Sequence, residues 1–196
     1  MINDHTAGRA LLRDKLIDGL RRAERTLFTR PAPKSAHARM KFLRTHEGGS
    51  SKSLAERLGV SRKTVDRYLS GATKKPQKRL QAALEQETEA EWQPQVRAQA
   101  RARAATLAGL GISITAYFAL GPAGTSDAGR KRDISVAVTP SHAAAILAAK
   151  DRGATETELH DLVAEAIADA YFRVGGGGRA GLKVQIVDVE RLDIAF

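Results

Sequence analysis

Residues 51–70 carry the pattern of a helix-turn-helix, and no other feature constrains the fold as strongly. The motif needs a small residue in its first helix, a glycine at the turn and a branched apolar residue in its second helix. Ala55, Gly59 and Val65 occupy these three positions. The inward positions that hold the two helices together are Leu54, Leu58, Val60 and Tyr68. The alternative, a two-helix corner that packs only against protein, is disfavoured by the outward basic residues.

The second helix of the motif is predicted to contact DNA. Ser61 is a good N-cap, because its hydroxyl can accept an amide proton from the first turn. Arg62, Lys63, Asp66 and Arg67 then point outward, where a major groove would lie. The residues predicted to contact DNA are Ser61, Arg62, Lys63, Thr64, Arg67, Tyr68, Lys74, Lys75, Arg97 and Arg101.

The net charge of +10 is concentrated in the first half of the chain. Residues 1–105 hold 23 of the 32 Lys and Arg residues but 11 of the 22 Asp and Glu residues. A field of this sign suits a phosphate backbone, with a merely solvated basic face as the alternative. There is no cysteine, no apolar run of the ~20 residues that span a membrane, and no signal-peptide pattern at the N-terminus. We therefore expect a cytoplasmic protein that does not enter the membrane.

The periodicity predicts an α+β protein in three segments. Residues 1–29 form an amphipathic helix or arm, and residues 30–106 form a helical DNA-binding domain. Residues 107–196 form a small α+β domain of order β-β-α-α-β, whose last two strand segments are 184–187 and 192–196. Thr155 and Glu158 predict a capping box, and the tetraglycine 175–178 is interpreted as a hinge.

The sequence contains no motif that would indicate that the chain is an enzyme by itself. The five histidines form no zinc-binding pattern, and neither a G-x-S-x-G motif nor a paired acidic motif is present. We therefore expect no metal site and no cofactor bound by the chain itself. One loop stands out, because Thr125 and Ser126 could present a hydroxyl to another protein's active site while Asp127 orients it. The basic triplet at 130–132 would favour an incoming triphosphate, although such tetrapeptides are commonly ordinary turns.

Four strings resemble the telomeric terminal proteins, Tpg type, of actinobacterial linear chromosomes and plasmids. They are LFTRPAPKS at 27–35, GVS at 59–61 with TVDRY at 64–68, KKP at 74–76 and WQPQ at 92–95. The likeness runs from about Leu27 to the C-terminus and includes the loop at Gly124 and the region of Tyr171 and Phe172.

This resemblance implies a protein primer bound covalently to the 5′ ends of a linear replicon. A DNA polymerase would join the first deoxynucleotide to a side-chain hydroxyl, and the family's acceptor loop implies Ser126, with Thr125 as the alternative. The implied partners are telomeric DNA with a single-stranded, hairpin-forming 3′ overhang, the polymerase with its Mg²⁺ and deoxynucleotide, and a telomere-associated protein. The chain would then be a nucleotidylation substrate; whether it also catalyses the linkage is left open.

Two other interpretations remain at this point. One is a transcriptional or plasmid-replication regulator whose C-terminal domain dimerises. The other is a recruitment protein that binds a telomere complex without becoming covalently linked. Only the protein primer requires a bond between nucleotide and protein.

Overall fold

The computed structural model describes residues 4–121, 129–174 and 182–196, with side chains described from residue 12 onward. The chain divides into two compact units. We call residues 28–95 the helical unit, and residues 1–27 together with 96–196 the sheet unit. The helical segment is thus an insertion into the sequence of the sheet unit.

The helical unit contains four helices around one core. They are α2 (Ala36–His46), α3 (Ser51–Leu58), α4 (Arg62–Leu69) and α5 (Lys78–Glu91). Serine hydroxyls cap the first three: Ser35, Ser50 and Ser61 each accept a backbone amide proton from the first turn. The core consists of Ala36, Met40, Leu43, Leu54, Ala55, Leu58, Val65, Tyr68, Leu80 and Leu84.

The turn between α3 and α4 has the predicted glycine in the predicted conformation. Gly59 follows α3 with a φ of 63°, in the left-handed region that favours glycine. The amide of Val60 donates to the carbonyl of Ala55 (3.0 Å), which closes the end of the helix. Ala55 and Val65 are both buried, so the three positions that define the motif have the environments that the pattern predicts.

The sheet unit contains a three-stranded antiparallel sheet in the order β2-β1-β3. Its strands are β1 (Leu110–Leu120), β2 (Arg130–Val138) and β3 (Val184–Ala195), and α7 (Pro140–Asp151) and α8 (Glu156–Ile167) lie between β2 and β3 in sequence. Alternate residues of β1 face the core: Leu110, Ile112, Ile114, Ala116 and Phe118. Polar pairs such as Ser113 with Ser135 (2.9 Å) and Thr115 with Asp133 (2.5 Å) lie on the opposite, more exposed face.

The predicted N-terminal arm is wrong as a separate segment. It forms α1 (Asp4–Thr26), whose Leu12, Leu16, Leu20 and Ala23 belong to the same buried core as the sheet. Lys15 Nζ donates to the carbonyls of Val189 (2.5 Å) and Glu190 (2.6 Å) on β3. The apolar stripe of this amphipathic helix is therefore buried inside the sheet unit.

The last segment of the predicted DNA-binding domain, which carries Arg97 and Arg101, also changes its assignment. It forms α6 (Pro94–Arg103) followed by a π-helical segment, Ala104–Ala108. From Val96 onward it belongs to the sheet unit, not to the DNA-binding domain predicted for residues 30–106. The boundary at 106 followed the charge of the sequence, whereas the fold follows burial: Ala104 lies in the core of the sheet unit.

The α+β class is confirmed, with one change in the last strand region. The segments 184–187 and 192–196 belong to one continuous strand, β3. Irregularities in its pairing with β1, at Thr115/Ala116 and at Tyr117/Phe118, break the alternation of buried residues without ending the strand. After α8, which begins at the predicted capping box, the chain continues as a second π-helical segment, Ala168–Phe172. The tetraglycine lies outside the described residues.

Candidate nucleic-acid interface

The start of α4 is fixed by two hydroxyl side chains. Ser61 Oγ accepts the amide proton of Thr64 (3.2 Å) and lies 2.9 Å from Thr64 Oγ1. Val65 and Tyr68 turn into the core, which leaves Arg62, Lys63 and Arg67 exposed on the other side of the helix. The structure thus places the three predicted basic residues where another macromolecule can reach them.

Arg62 forms only a weak ion pair with the nearby carboxylate of Asp66. Arg62 Nε lies 3.6 Å from Asp66 Oδ2, and the two side chains are 73% and 51% exposed. An exposed pair of this kind contributes at most about 1 kcal/mol and is screened by salt. A phosphate can therefore displace Asp66 from Arg62 at little cost.

The predicted DNA contact of Tyr68 is wrong, because its side chain is only 5% exposed. Its hydroxyl donates to the carbonyl of Lys75 (3.2 Å). This bond holds the segment after α4, on which Lys74 and Lys75 are both exposed. Tyr68 thus positions the segment that carries these lysines.

A recess of about 430 Å³ lies between α4 and the segment that follows it. It is lined by Val60, Ser61, Thr64, Arg67, Tyr68, Thr73, Lys75, Gln77 and Leu80. The Thr73 hydroxyl is buried and has no hydrogen-bond partner among the described residues. Hydroxyl, amide and basic groups that converge in this way suit an oxygen-rich anion such as a backbone phosphate.

Three carboxylates of the helical unit form ion pairs with a single arginine of the same unit. Arg57 lies within 3 Å of carboxylate oxygens of Glu47, Glu87 and Glu91. The hydrogen bonds that Arg57 donates to Glu91 and Glu47 are the largest causes of its raised pKa. Sequence reasoning missed this network, since its members come from a loop, α3 and α5.

The structure does not support Arg101 as a DNA contact. Its guanidinium lies 2.6 Å from Glu24 Oε1 and 3.0 Å from Asp151 Oδ1, and the side chain is 24% exposed. These pairs join α1, α6 and α7 within the sheet unit. Arg97 lies half-buried in α6, in the same unit.

The hydroxyl loop with Thr125, Ser126 and Asp127 lies outside the described residues. The described chain ends at Gly121 after β1 and resumes at Gly129 before β2. Among the basic residues that follow, Lys131 is paired with Glu190 at 2.7 Å, and the hydrogen bond that it donates to Glu190 raises the pKa of Lys131. No group of three acidic or histidine side chains that could hold a metal ion occurs in the described ranges.

Comparison with known proteins adds one finding. A family model described as helix-turn-helix matches residues 40–86, from Met40 in α2 to Gln86 in α5. No curated protein and no solved structure gives a significant match to the chain. The chain thus carries a helix-turn-helix domain, a class of DNA-binding domain. Within the described ranges, no helix is long and apolar enough to cross a membrane.

Proposed function

We propose that the helical unit binds DNA with α4 in the major groove. The observation that carries this proposal is the exposed basic side of α4, whose opposite side is buried in the domain core. Arg62, Lys63 and Arg67 would contact base edges and phosphates, with Ser61 and Thr64 at the helix start. Lys74 and Lys75, held by the bond from Tyr68, would add phosphate contacts.

We further propose that the chain is a terminal protein of linear replicon ends. The support is the resemblance of its sequence strings, together with a contact between two of them. Trp92 Nε1 donates to the carbonyl of Arg30 (3.2 Å), and Gln93 Oε1 accepts the amide proton of Thr29 (3.1 Å). The strings at 27–35 and 92–95 therefore meet where the helical unit begins and ends. This contact offers one structural explanation for the presence of both strings in the same chain.

In this proposal the helical unit holds telomeric DNA, and a loop of the sheet unit supplies the acceptor. The hydroxyl oxygen of Ser126, or of Thr125, attacks the α-phosphorus of a deoxynucleoside triphosphate. A phosphoester forms, pyrophosphate leaves, and the hydroxyl proton passes to a base, with Asp127 orienting the hydroxyl. The polymerase would supply Mg²⁺ and select the nucleotide, and a telomere-associated protein would be a further partner. Tethering the acceptor to a DNA-bound domain raises its effective concentration at the template end.

A second candidate is a helix-turn-helix regulator that dimerises through the sheet unit. The observation in its favour is the position of β2 at the edge of the sheet, where among the described residues it pairs only with β1. An unpaired strand edge can accept a strand from a second copy. This candidate uses the same DNA contacts but forms no covalent bond to nucleotide.

The deciding experiment is a peptide mass spectrum of the full chain, recovered from a priming reaction with extract and deoxynucleotides and then treated with nuclease. We expect a mass increase of one or more deoxynucleotides on the peptide that contains Thr125 and Ser126. The double variant T125A/S126A should lose the adduct and keep its DNA affinity, whereas S135A, a hydroxyl loss on β2, should keep both.

The single variants S126A and T125A identify which hydroxyl is used. An adduct of full yield in the double variant contradicts the loop as acceptor. An unmodified peptide map from protein that still binds DNA favours the regulator.

A further inference from the structure

Among the described residues of the sheet unit, the guanidinium of Arg132 has a buried hydrogen-bond donor without an acceptor. The side chain starts from β2 opposite Ala116, on the side of the sheet that faces the core. Its Nε is buried and has no hydrogen-bond partner among the described residues. Since buried polar groups are nearly always hydrogen-bonded, this donor indicates a missing acceptor. An oxygen of an anionic ligand is the partner that a guanidinium binds best.

An aromatic cluster lies beside this guanidinium. The Arg132 Cζ is 5.6 Å from the ring centroid of Phe172, and that ring lies 4.9 Å from the ring of Tyr171. The Phe172 ring stabilises the positive charge but accepts no strong hydrogen bond, so it does not replace the missing acceptor. Tyr171 is 44% exposed and offers a ring surface to solvent. Phe172 thus contacts both the Arg132 guanidinium and the exposed ring of Tyr171. A cation near an exposed aromatic ring is a combination that binds nucleotides, with the phosphate on the cation and the base on the ring.

The segment that carries these rings is itself irregular. Tyr171 and Phe172 belong to the second π-helical segment, Ala168–Phe172. Such segments are rare and occur frequently at functional sites, because the extra residue per turn changes the direction of the side chains.

The neighbouring charges leave this cation available to a ligand. The carboxylates of Glu165 in α8 and Asp169 in the π-helical segment lie 2.5 Å and 2.7 Å from Arg173 Nη1. Lys131 is paired with Glu190. Arg130 precedes Arg132 by two residues on the same side of the strand and is exposed. Within the described ranges neither Arg130 nor Arg132 forms an ion pair.

We propose that Arg130, Arg132 and Tyr171 form a binding site for the phosphates of a nucleotide. The ligand class is a deoxynucleoside triphosphate, with its phosphates on the two arginines and its base against Tyr171. This assignment of the ligand rests on the proposed priming function, in which Ser126 precedes Arg130 by four residues in the chain. The same phosphate chemistry could come from the 5′-phosphate of a DNA end, and the experiment separates the two sources.

The test uses the full chain and four probes: dGTP, inorganic tripolyphosphate, deoxyguanosine, and one single-stranded oligonucleotide with and without a 5′-phosphate. Affinities are measured by calorimetry, and the Nε–H signal of Arg132 is followed by NMR. We expect dGTP and tripolyphosphate to bind and to shift this signal, and deoxyguanosine not to bind. R132Q should weaken both ligands by about tenfold or more, as expected for a hydrogen bond to a charged group. Y171A should weaken dGTP more than tripolyphosphate.

The matched control is R103Q, the loss of an exposed arginine in α6 of the same unit, which should leave both affinities unchanged. R132K keeps the charge and the fold and should lose part of the affinity, so the test does not depend on R132Q alone. Tripolyphosphate that fails to shift the Arg132 signal, or an unchanged affinity in R132K and R132Q, overturns the site. Binding of dGTP that R132Q weakens supports the triphosphate; a 5′-phosphate that tightens oligonucleotide binding in the parent chain but not in R132Q, while dGTP does not bind, overturns that ligand and leaves a DNA end.

The two proposals fail separately. A Ser126 adduct that forms at normal yield in R132Q, together with unchanged nucleotide affinity, removes this site and keeps the protein primer. Nucleotide binding that depends on Arg132, without any adduct, removes the primer and keeps the site.

Discussion

Each unit pairs some of its basic side chains and leaves others exposed, but the two units differ in where the exposed ones lie. In the sheet unit, Arg101 and Arg173 are held by carboxylates, and Lys15 is held by strand carbonyls. In the helical unit Arg57 forms ion pairs with three carboxylates. The side chains of Arg62, Lys63 and Arg67 on α4 are exposed. An excess of positive charge in the sequence therefore does not identify the cations that are free to bind a polyanion. Their partners in the folded protein decide this.

The largest expected effect is on DNA affinity, in the triple variant R62A/K63A/R67A. We expect affinity to fall by about a hundredfold at ~0.1 M salt, because the side chains that would reach bases and phosphates are removed. The slope of log affinity against log salt should become shallower by about 0.9 for each phosphate that the variant no longer neutralises. Titration of a duplex at several salt concentrations measures both quantities.

The matched control removes three exposed cations of the sheet unit, in the variant R21A/R103A/K183A. It lowers the net charge by the same amount and should change affinity much less. Equal reductions in the two variants would mean that net charge, and not the α4 surface, drives binding.

Two glycines that both have a positive φ should respond very differently to substitution. A Cβ on Gly109 (φ 72°) would lie 1.8 Å from the carbonyl oxygen of Val138, whereas nothing lies within 4 Å of a Cβ on Gly59 (φ 63°). We expect G109A to lower the free energy of unfolding of the sheet unit by about 4 kcal/mol, through both the clash and the strain. G59A adds only the left-handed strain, about 1 kcal/mol in the helical unit.

Urea unfolding measures both changes. Fluorescence of Trp92, the single tryptophan, reports on the helical unit, and circular dichroism also follows the sheet unit. Similar reductions in stability in G109A and G59A would contradict the close approach of β2 to Gly109.

Substitution of Arg101 tests whether this basic residue of the sheet unit stabilises the fold and does not contact DNA. We expect R101A to lower the free energy of unfolding by about 2 kcal/mol, because it leaves the Glu24 carboxylate, 6% exposed, without its partner. DNA affinity should be unchanged. The double variant R101A/E24A should recover part of the stability. A weaker affinity for DNA at unchanged stability would restore Arg101 as a DNA contact.

The smallest expected effect is on how the free energy of unfolding depends on pH in the acidic range. Arg173 lowers the pKa of Asp169, and Arg191 lowers the pKa of Asp193. Because the folded pKa lies below the unfolded value of about 3.9, each carboxylate stabilises the fold above that pH. The contribution falls as the pH is lowered through the folded pKa. Unfolding curves between pH 6 and pH 2 should show a flatter decline in D169N/D193N than in the parent chain; parallel curves would contradict these pairings.

Local determinants made much of the fold predictable. The cap at Ser61, the turn at Gly59 and the buried positions of Val65 and Tyr68 all lie within ten residues of one another. The alternation in β1 likewise predicted a strand with one buried face. These features depend on hydrogen bonds and side-chain directions within one or two turns, which sequence spacing records directly.

Other features could not be predicted, because their partners are distant in the chain. Glu24 and Arg101 are 77 residues apart, and Arg132 meets Phe172 across 40 residues. The breaks in alternation along β3 suggested two strands, since the irregular pairing with β1 leaves no sequence signal of its own. The apolar stripe of α1 was visible, but not the sheet that it covers.

The sequence by itself determined the helix-turn-helix, its exposed basic helix and the α+β character of the second half. It did so because caps, turn glycines and apolar periodicity act over short stretches of chain. Only the tertiary structure decided that α1 and α6 belong to the sheet unit, that Arg57 and Arg101 are paired, and that Tyr68 is a core residue. These outcomes depend on which surfaces meet after folding, because burial and ion pairing are properties of neighbours in space.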